Sequence, residues 1–407
     1  MRKLVTILAI LAATSVAAQE SDESNSLTQS LISGDLTIGL RARYEFVDQD
    51  GFDEDANATT TRLRLSYKTA DWNNWSGFVE FDHVFNILLT DYNSGGGTSP
   101  NKGEYPVIAD PDGSDLNQLY FDYSSSPDWK WRLGRQRILL DNQRFVGGVG
   151  WRQNEQTFDA FSLTTTALGN TKIFYSYVGQ VKRIFGETVP GGTNNVDSHL
   201  LNIKIDLGES WAVTPYAYLI DNKDVTAFST STVGARIAGD LPLGDSKISL
   251  LGEFATQSDA GDAPVGFDAD YAHFTATWVG DSGLSLGIGF ESLGGSSDPG
   301  EAFRTPLATL HAFNGWADKF LSTPDAGIKD SYVSAKVPFG KWKFTAVYHD
   351  FAAETGSGNY GSEIDLAVAR KLTERYGLLI KGAFFSADSA GAYTDTDKFW
   401  VMLTANY

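Results

Sequence analysis

The chain has 407 residues, a formal net charge of −19, 41 Gly, 25 Phe, 17 Tyr, 10 Trp and no Cys. The missing cysteines exclude a disulfide framework and thiolate chemistry, and the acidic balance argues against nucleic acid, whose phosphates would be repelled. No Pro-rich or Gly/Ser-rich linker divides the sequence, so one continuous architecture is expected.

The N-terminus carries an export signal. Two basic residues precede an apolar run over 4–13, and small residues at 16–18 form a cleavage site. This pattern predicts a secretory signal peptide over 1–18, followed by a periplasmic N-terminal segment over 19–34. A membrane-spanning helix needs about 20 apolar residues, and no later segment supplies them.

From residue 35 onward, segments in which apolar and polar residues alternate recur along the chain. The predicted strands lie near 35–47, 59–70, 75–88, 115–126, 129–140, 155–166, 171–185, 197–207, 211–220, 228–238, 246–256, 268–280, 283–293, 329–338, 341–352, 362–372, 376–387 and 396–407. An even number of strands, eighteen, is typical of a transmembrane antiparallel β-barrel. The fold class is therefore predicted to be all-β, with the barrel occupying 35–407.

The connections predict the topology. Those after even-numbered strands are short, such as 127–128 and 281–282, and are expected to be periplasmic turns. Those after odd-numbered strands are longer and polar, notably 89–114, 141–154 and 294–328, as expected of extracellular loops. Both termini are then expected in the periplasm.

The last strand alternates up to a terminal aromatic. Phe399, Val401, Leu403 and Ala405 share one face, and Tyr407 falls where an interfacial aromatic girdle is expected. Such a strand closes a barrel and engages the barrel-assembly machinery. An ordinary amphipathic edge strand of a soluble sheet is the alternative for this segment taken alone.

The same alternation separates a lipid face from a lumen. In the segment 61–68 the two leucines and the tyrosine share one face, so Arg62, Arg64 and Lys68 point the other way. A charge that faces lipid near the midplane costs about 2–4 kcal/mol. A soluble sheet with solvated arginines fits this strand equally well, but about eighteen strands enclose more volume than side chains can fill. A water-filled channel is expected.

The alternation predicts a cationic lumen wall. A change of phase in the fifth strand indicates a bulge at Gly134, which would aim Arg135 and Arg137 inward. The predicted pore-lining, substrate-binding residues are Arg41, Arg43, Arg62, Arg64, Arg132, Arg135, Arg137, Arg144, Arg152, Lys172, Arg236 and Lys336. Inward acids are also predicted, among them Glu45, Glu80 and Asp82. The cations therefore either select an anionic substrate or pair with these acids in the wall.

Several motifs resemble one known family. The motifs are Gly134-Arg135-Gln136-Arg137, Asp141 to Gly147, Gly150-Trp151-Arg152-Gln153-Asn154, Thr157 to Ala160 and His311 to Asp318. They resemble the alginate-export family of outer-membrane porins, and the segments 348–351 and 360–363 are similar to the same family. The resemblance implies an eighteen-stranded barrel whose arginine-rich constriction conducts an anionic polyuronate. The loops are shorter than in the polymer exporters and strongly acidic, so passive uptake of oligosaccharides is as compatible as export.

The loop 294–328 is too long to be only a connector. Long loops that carry their own apolar residues are usually functional or self-packed. The predicted constriction residues of this loop are Arg304, His311, Trp316, Asp318 and Lys319. The alternative is packing against neighbouring loops or lipopolysaccharide.

The sequence offers little for catalysis. The five histidines are scattered without metal-ligand spacing, and His349 and Asp350 point to opposite faces of a strand. The acidic run over 48–55 lacks the spacing of an EF-hand. No enzymatic activity, cofactor or metal site is predicted.

The leading prediction is thus a porin of the Gram-negative outer membrane that passes anionic, alginate-like oligo- or polysaccharides. Outer-membrane lipid and lipopolysaccharide are its expected surroundings. A general diffusion porin and a non-conducting, surface-binding barrel remain alternatives. A lipid hydrolase is a third, but it needs a Ser and a His together on the lipid-facing side, which the alternation is not expected to supply.

Overall fold

The computed structural model describes residues 26–389 and 392–407, so the predicted signal peptide lies outside the described residues. One short helix, α1 (Leu27–Ile32), precedes eighteen strands. The strands are β1 (Asp35–Gln49), β2 (Ala56–Lys68), β3 (Trp75–Asp91), β4 (Gly113–Ser126), β5 (Trp129–Gln136), β6 (Thr157–Thr165), β7 (Thr171–Lys182), β8 (Thr193–Leu207), β9 (Trp211–Ile220), β10 (Thr230–Leu243), β11 (Ser246–Asp259), β12 (Asp268–Val279), β13 (Ser285–Leu293), β14 (Ile328–Phe339), β15 (Trp342–Ala352), β16 (Asn359–Lys371), β17 (Tyr376–Ala387) and β18 (Thr396–Asn406). Single 3-10 turns occur at Pro190–Gly192, Thr226–Phe228 and Leu310–Ala312.

The sheet closes on itself. Each strand pairs antiparallel with its neighbours along the chain, and β1 also pairs with β18. The closing ladder runs from Gly39 opposite Asn406 to Gln49 opposite Thr396. Closure leaves no open edge for another chain to pair with. The predicted eighteen-stranded antiparallel barrel is confirmed.

The two ends of the barrel differ. After even-numbered strands the chain turns back within a few residues, as at 127–128 and 340–341. After odd-numbered strands three connections are long, and we name them L2 (92–112), L3 (137–156) and L7 (294–327). We call the two ends the short-turn end and the long-loop end.

Both described chain ends lie at the short-turn end. The hydroxyl of Tyr67 in β2 donates to the carbonyl oxygen of Leu31 in α1 at 2.6 Å, which fastens the helix to the wall. At the C-terminus, Tyr407 exchanges two backbone hydrogen bonds of 2.9 Å with Ile38 of β1. The sequence did not predict α1, because its single amphipathic turn is too short for a periodic signal. Within the described residues, no helix is long and apolar enough to span a bilayer.

The predicted bulge at Gly134 is absent. The register of β5 with both neighbouring strands passes through Gly134 without a shift. Gly134 instead has φ +126°, and a Cβ there would lie 2.3 Å from the carbonyl oxygen of Leu119, so only glycine fits. The strand expected over 129–140 ends at Gln136, where L3 leaves the wall.

A bulge does occur one strand earlier. Asn117 of β4 is the extra residue opposite the step between Glu80 and Phe81 of β3. Because the bulge turns two consecutive side chains inward, the amides of Asn117 and Gln118 both donate to Glu80, at 2.8 and 3.0 Å.

The two faces of the wall differ in polarity. Large apolar side chains such as Leu133, Ile288 and Phe339 are 61%, 63% and 72% exposed on the outer face. The buried core lies inside the barrel, where the loop residues Phe145 and Phe303 pack against Tyr271 of β12. This arrangement, with an apolar exterior and a filled interior, positions the functional groups inside the lumen.

Candidate functional site

Three long loops fold into the lumen near the long-loop end, and we call their assembly the plug. L3 and L7 meet directly, since the backbone N–H of Gly147 donates to the carbonyl oxygen of Leu307 at 2.8 Å. L2 joins through Asp110, whose carboxylate accepts from the backbone N–H of Gln153 at 2.7 Å. L7 thus folds inward rather than packing outside the barrel.

Two predicted pore arginines of β1 hold L3 in place. Arg41 donates to the side-chain oxygen of Gln153 at 2.9 Å and to the carbonyl oxygen of Gly150 at 2.8 Å. Arg43 donates to the carbonyl oxygen of Trp151 at 2.7 Å. Arg43 also forms an ion pair with Asp110 of L2. The guanidinium groups of both arginines are therefore occupied by contacts with the plug.

Glu155 of L3 joins a second group of arginines. Its carboxylate lies 2.9 Å from Arg64, 3.6 Å from Arg62 and in an ion pair with Arg137. Burial opposes ionisation, but the positive charges of Arg64 and Arg137 outweigh it and lower the pKa of Glu155 to about 2. The sequence missed Glu155, because the sixth strand was expected to begin at that residue.

Arg135 does not join this group, contrary to the expected effect of a bulge. Its guanidinium pairs with Asp159 at 2.8 Å and with Glu187, and donates to the carbonyl oxygen of Leu116 at 2.9 Å. The register through Gly134 turns Arg135 away from the side of β5 that carries Arg132.

A lysine in an aromatic cage fixes L7 and L3 to β17. The ammonium of Lys381 lies 3.6 Å from the ring centroid of Trp316 in L7 and 4.4 Å from that of Trp151 in L3. It also lies 2.7 Å from Nε2 of His311, whose Nδ1 lies 2.6 Å from the carboxylate of Asp318. Lys381 must donate, so this geometry fits a neutral imidazole that accepts at Nε2 and donates from Nδ1.

The charges around His311 agree with that assignment. Burial lowers the pKa of His311 to about 3, against the opposing attraction of Asp318. Asp318 is held as a carboxylate by Arg152 at 2.9 Å and Lys398 at 3.0 Å, in addition to His311. Arg152 also reaches Glu45 of β1 at 3.1 Å.

The opposite wall anchors the plug through a buried pair. Arg144 of L3 lies 2.8 Å from Glu291 of β13, and the side chains of both are only 2% exposed. Asn314 of L7 accepts from Arg144 at 2.8 Å and donates to Glu291 at 2.7 Å. Asn314 and Glu291 therefore join L3, L7 and the wall in one network.

Below the plug, toward the short-turn end, lies a cavity of about 870 Å³ that we call the chamber. Among its described lining residues, six are cations and one, Asp141, is an acid. The cations are Lys130, Arg132, Arg137, Lys172, Lys204 and Arg236. The guanidinium of Arg132 pairs with both oxygens of Asp122, at 2.6 and 2.9 Å, and lies 3.7 Å from the ring centroid of Tyr120.

The remaining predicted residues are placed as follows. Lys172 has no ion pair within 4.0 Å among the described residues, and Arg236 pairs with Glu253 at 3.2 Å. Lys336 lies on the inward side of β14, because alternate residues of a strand share a face and Lys336 follows the half-buried Tyr332 and Ser334 at that spacing. Arg304 and Lys319 lie in the L7 part of the plug, and neither lines the chamber.

One feature of the outer face was not expected. Nδ1 of His83 in β3 lies 2.8 Å from the hydroxyl oxygen of Ser114 in β4, and both residues are exposed. The alternation does therefore place a Ser and a His together outside the barrel. Within the described part of the chain, no carboxylate or amide contacts Nε2 of His83, and no group of His, Asp and Glu has a metal-binding arrangement.

Comparison with known proteins agrees with this geometry. The sequence model of the alginate export family matches residues 33–173. The match confirms the resemblance to the alginate export family over these residues. The match includes β1 and all of L3, whereas the resembling segments at 311–318, 348–351 and 360–363 lie beyond it. A comparison with curated proteins finds no match.

The fold is also similar to that of solved outer-membrane porins of the Occ family. OccAB2 from Acinetobacter baumannii aligns with a TM-score of 0.72 at 14% identity, over 93% of this chain and 99% of that chain. OccK9 (OpdG) from Pseudomonas aeruginosa gives 0.71 at 16% identity, over 93% and 99%. OccAB4 from A. baumannii gives 0.71 at 11% identity, over 92% and 98%. At such identities the likeness shows the fold alone.

Proposed function

We propose that this relative of the alginate export family is an outer-membrane channel for the passive passage of anionic, uronate-type oligosaccharides. The observation that carries the proposal is the chamber, whose lining presents six cations and one acid although the whole chain is strongly acidic. Five of these cations pair with carboxylates that lie outside the lining, and Lys172 has no ion pair among the described residues. At physiological ionic strength a charge acts over about 8 Å. The chamber wall, rather than the acidic loops, therefore sets the potential that a permeating ion meets.

The proposed location follows from the outer face. Its exposed apolar side chains suit lipid, and Trp75, Trp129, Tyr376 and Tyr407 form an aromatic girdle near the short-turn end. In the outer membrane the short-turn end, with both termini, would face the periplasm. The long loops would then meet lipopolysaccharide outside, and β18 would engage the assembly machinery.

The cargo follows from the chemistry of the chamber. A uronate chain carries one carboxylate on each sugar, and a guanidinium fork binds carboxylate while staying charged at every relevant pH. Transport needs weak and repeated binding, which spaced cations with partly compensating acids provide. Phe78, Tyr120 and Phe174 line the same chamber and offer faces on which sugar rings can stack.

The alternatives rest on particular features. The ion pairs that fix the plug favour a non-conducting, surface-binding barrel, and a general diffusion porin would conduct without recognising sugars. The His83 and Ser114 pair alone favours a lipid hydrolase, but a nucleophilic serine needs its base oriented by a third group. We therefore propose transport rather than catalysis.

The test is conductance of the purified, heat-modifiable barrel in a planar bilayer. We expect anion preference in a salt gradient and current block by trigalacturonate, with maltotriose as the uncharged control of similar size. Block by both sugars, or by neither, would indicate a general porin. A folded barrel that shows no conductance would support the surface-binding alternative and overturn the proposal.

A further inference from the structure

A second cavity, of about 770 Å³, opens above the plug at the long-loop end, and we call it the outer vestibule. Its walls come from several loops, and it shares no described lining residue with the chamber. Its lining residues include three cations and three aromatic residues: Arg183, Arg304, Lys319, Phe185, Phe228 and Tyr393.

Three cations of the outer vestibule lack a carboxylate partner among the described residues. Arg183 donates only to the carbonyl oxygen of Pro306, at 3.3 Å. Arg304 donates to two backbone carbonyl oxygens, and Lys319 donates to the hydroxyl of Thr396 at 2.8 Å. By contrast, the other two lining cations, Arg152 and Lys398, share the carboxylate of Asp318.

These unpaired cations bear a desolvation cost that a bound anion would relieve. Burial lowers the pKa of Arg183 and of Arg304, and it lowers that of Lys319 to about 8 with help from the charge of Lys398. Neutral carbonyl and hydroxyl oxygens compensate a charge less well than a carboxylate does. The outer vestibule therefore presents positive charge that carboxylates compensate only from beyond ion-pair distance, namely Asp325 for Arg304 and Glu363, Asp395 and Asp50 for Lys319.

The same cavity is lined by aromatic side chains. The guanidinium of Arg183 lies 6.0 Å from the ring centroid of Phe228. Phe185 and Tyr393 are half-buried and face the same space. A small inorganic anion would satisfy the cations but leave these rings without a partner. A uronate sugar offers both a carboxylate and an apolar ring face.

We propose that the outer vestibule binds a terminal uronate of an oligosaccharide at the long-loop end, as a site separate from the chamber. The choice of uronate rests on the proposed function, whereas the existence of an anion site rests on the unpaired cations. Arg183 and Arg304 would hold the carboxylate, and Phe185 and Phe228 the sugar face.

The test is current block by trigalacturonate added to one side of the bilayer at a time. For the double variant Arg183→Gln, Arg304→Gln we expect block from the long-loop side to weaken at least tenfold, because two charge-assisted hydrogen bonds are lost. Block from the short-turn side should be unchanged. The matched control is Lys223→Gln, which neutralises an exposed cation in the connection between β9 and β10, at the same end of the barrel, that does not line the vestibule.

A second variant distinguishes loss of binding from misfolding. A direct binding measurement tests the vestibule even if the transport proposal fails. Arg183→Lys, Arg304→Lys keeps the charge and should retain part of the block, and heat-modifiable mobility reports folding of each variant. If the wild type shows no block from either side, the proposed function fails. Calorimetry with trigalacturonate then tests the vestibule alone, and binding that the Gln variant loses still supports it.

Three results would overturn the inference: no heat of binding, unchanged long-loop-side block in a folded Gln variant, or equal weakening by Lys223→Gln. Inorganic sulfate serves as the competing probe. If sulfate binds as tightly as trigalacturonate, the aromatic face contributes nothing and the assignment to a uronate is wrong.

Discussion

The plug and the chamber use the same kinds of cation in opposite ways. In the plug, the side chains of Arg43 and Arg144 are 0% and 2% exposed, and each is paired with a buried carboxylate. In the chamber, Lys130 and Lys204 are 48% and 51% exposed although each lies 2.8 Å from a carboxylate, and Lys172 has no ion pair among the described residues. The first set holds loops in a fixed position, and the second set is accessible to ions. Inward direction alone therefore does not make a cation a selectivity group.

The largest effect is expected from breaking the plug. Arg144→Met leaves Glu291 as a buried, unpaired charge, and removing one partner of a buried pair costs about 3–5 kcal/mol. We expect L3 and L7 to detach from β13, with higher and noisier conductance but an intact barrel by gel mobility. Single-channel recording and limited proteolysis in L7 would measure this.

The control is the double variant Arg144→Met, Glu291→Gln, which removes the orphaned charge. It should recover much of the quiet, low-conductance state, and the coupling between the two positions follows from the double-mutant cycle. Wild-type noise and proteolysis in Arg144→Met alone would mean that this pair does not hold the plug.

The next effect is expected in the chamber. Lys172→Glu with Lys204→Glu reverses two solvent-exposed charges, so folding should be unaffected. Two unit charges about 4 Å apart in water interact by about 1 kcal/mol, so the anion-to-cation permeability ratio should fall about fivefold or more for each position. Reversal potentials in a salt gradient measure the ratio. Lys341→Glu, in the turn 340–341 outside the lumen, is the matched control.

The contrast between plug and chamber also marks what the sequence could show. Strand number, order and facing follow from local alternation, which is why β1 to β18 lie close to their predicted ranges. Partners that meet across the lumen have no local signal. Arg144 and Glu291 are 147 positions apart, and nothing around either residue predicts their contact. The error at Gly134 has a different origin: the apparent change of phase came from residues 138 and 140, which belong to L3 because β5 ends at Gln136.

A pH dependence is expected in the plug but not in the chamber. His311 has a pKa of about 3 when docked and titrates near 6.5 when released, so the released state binds more protons between these values. The contribution of His311 to docking is fully present above pH 6.5 and is lost as the pH falls toward 3. Protonation also places a positive imidazole 2.7 Å from the ammonium of Lys381.

Gating noise recorded as a function of pH tests this expectation. Noise should rise from pH 6.5 to 4.5 in the wild type and stay level over that window in His311→Gln. Below about 4.5, Glu155 contributes with the same sign, because its pKa is lowered to about 2 in the docked state. A wild-type trace that stays flat from pH 6.5 to 4.5 would show that His311 does not control docking.

The smallest effect concerns the geometry of a chamber cation rather than its charge. Arg132→Lys keeps a positive charge beside Asp122, so ion selectivity should stay as it is. It loses the two-pronged contact with that carboxylate and the stacking on Tyr120, where the guanidinium lies 3.7 Å from the ring. Exposed cation–π contacts contribute about 0.5–1 kcal/mol, and a lysine cannot present a fixed fork to a passing carboxylate.

We expect block by trigalacturonate to weaken two- to fivefold, on the order of that energy, with unchanged reversal potential. If selectivity and block fall together, the chamber acts through charge alone, and if neither changes, Arg132 belongs with the structural cations of the plug.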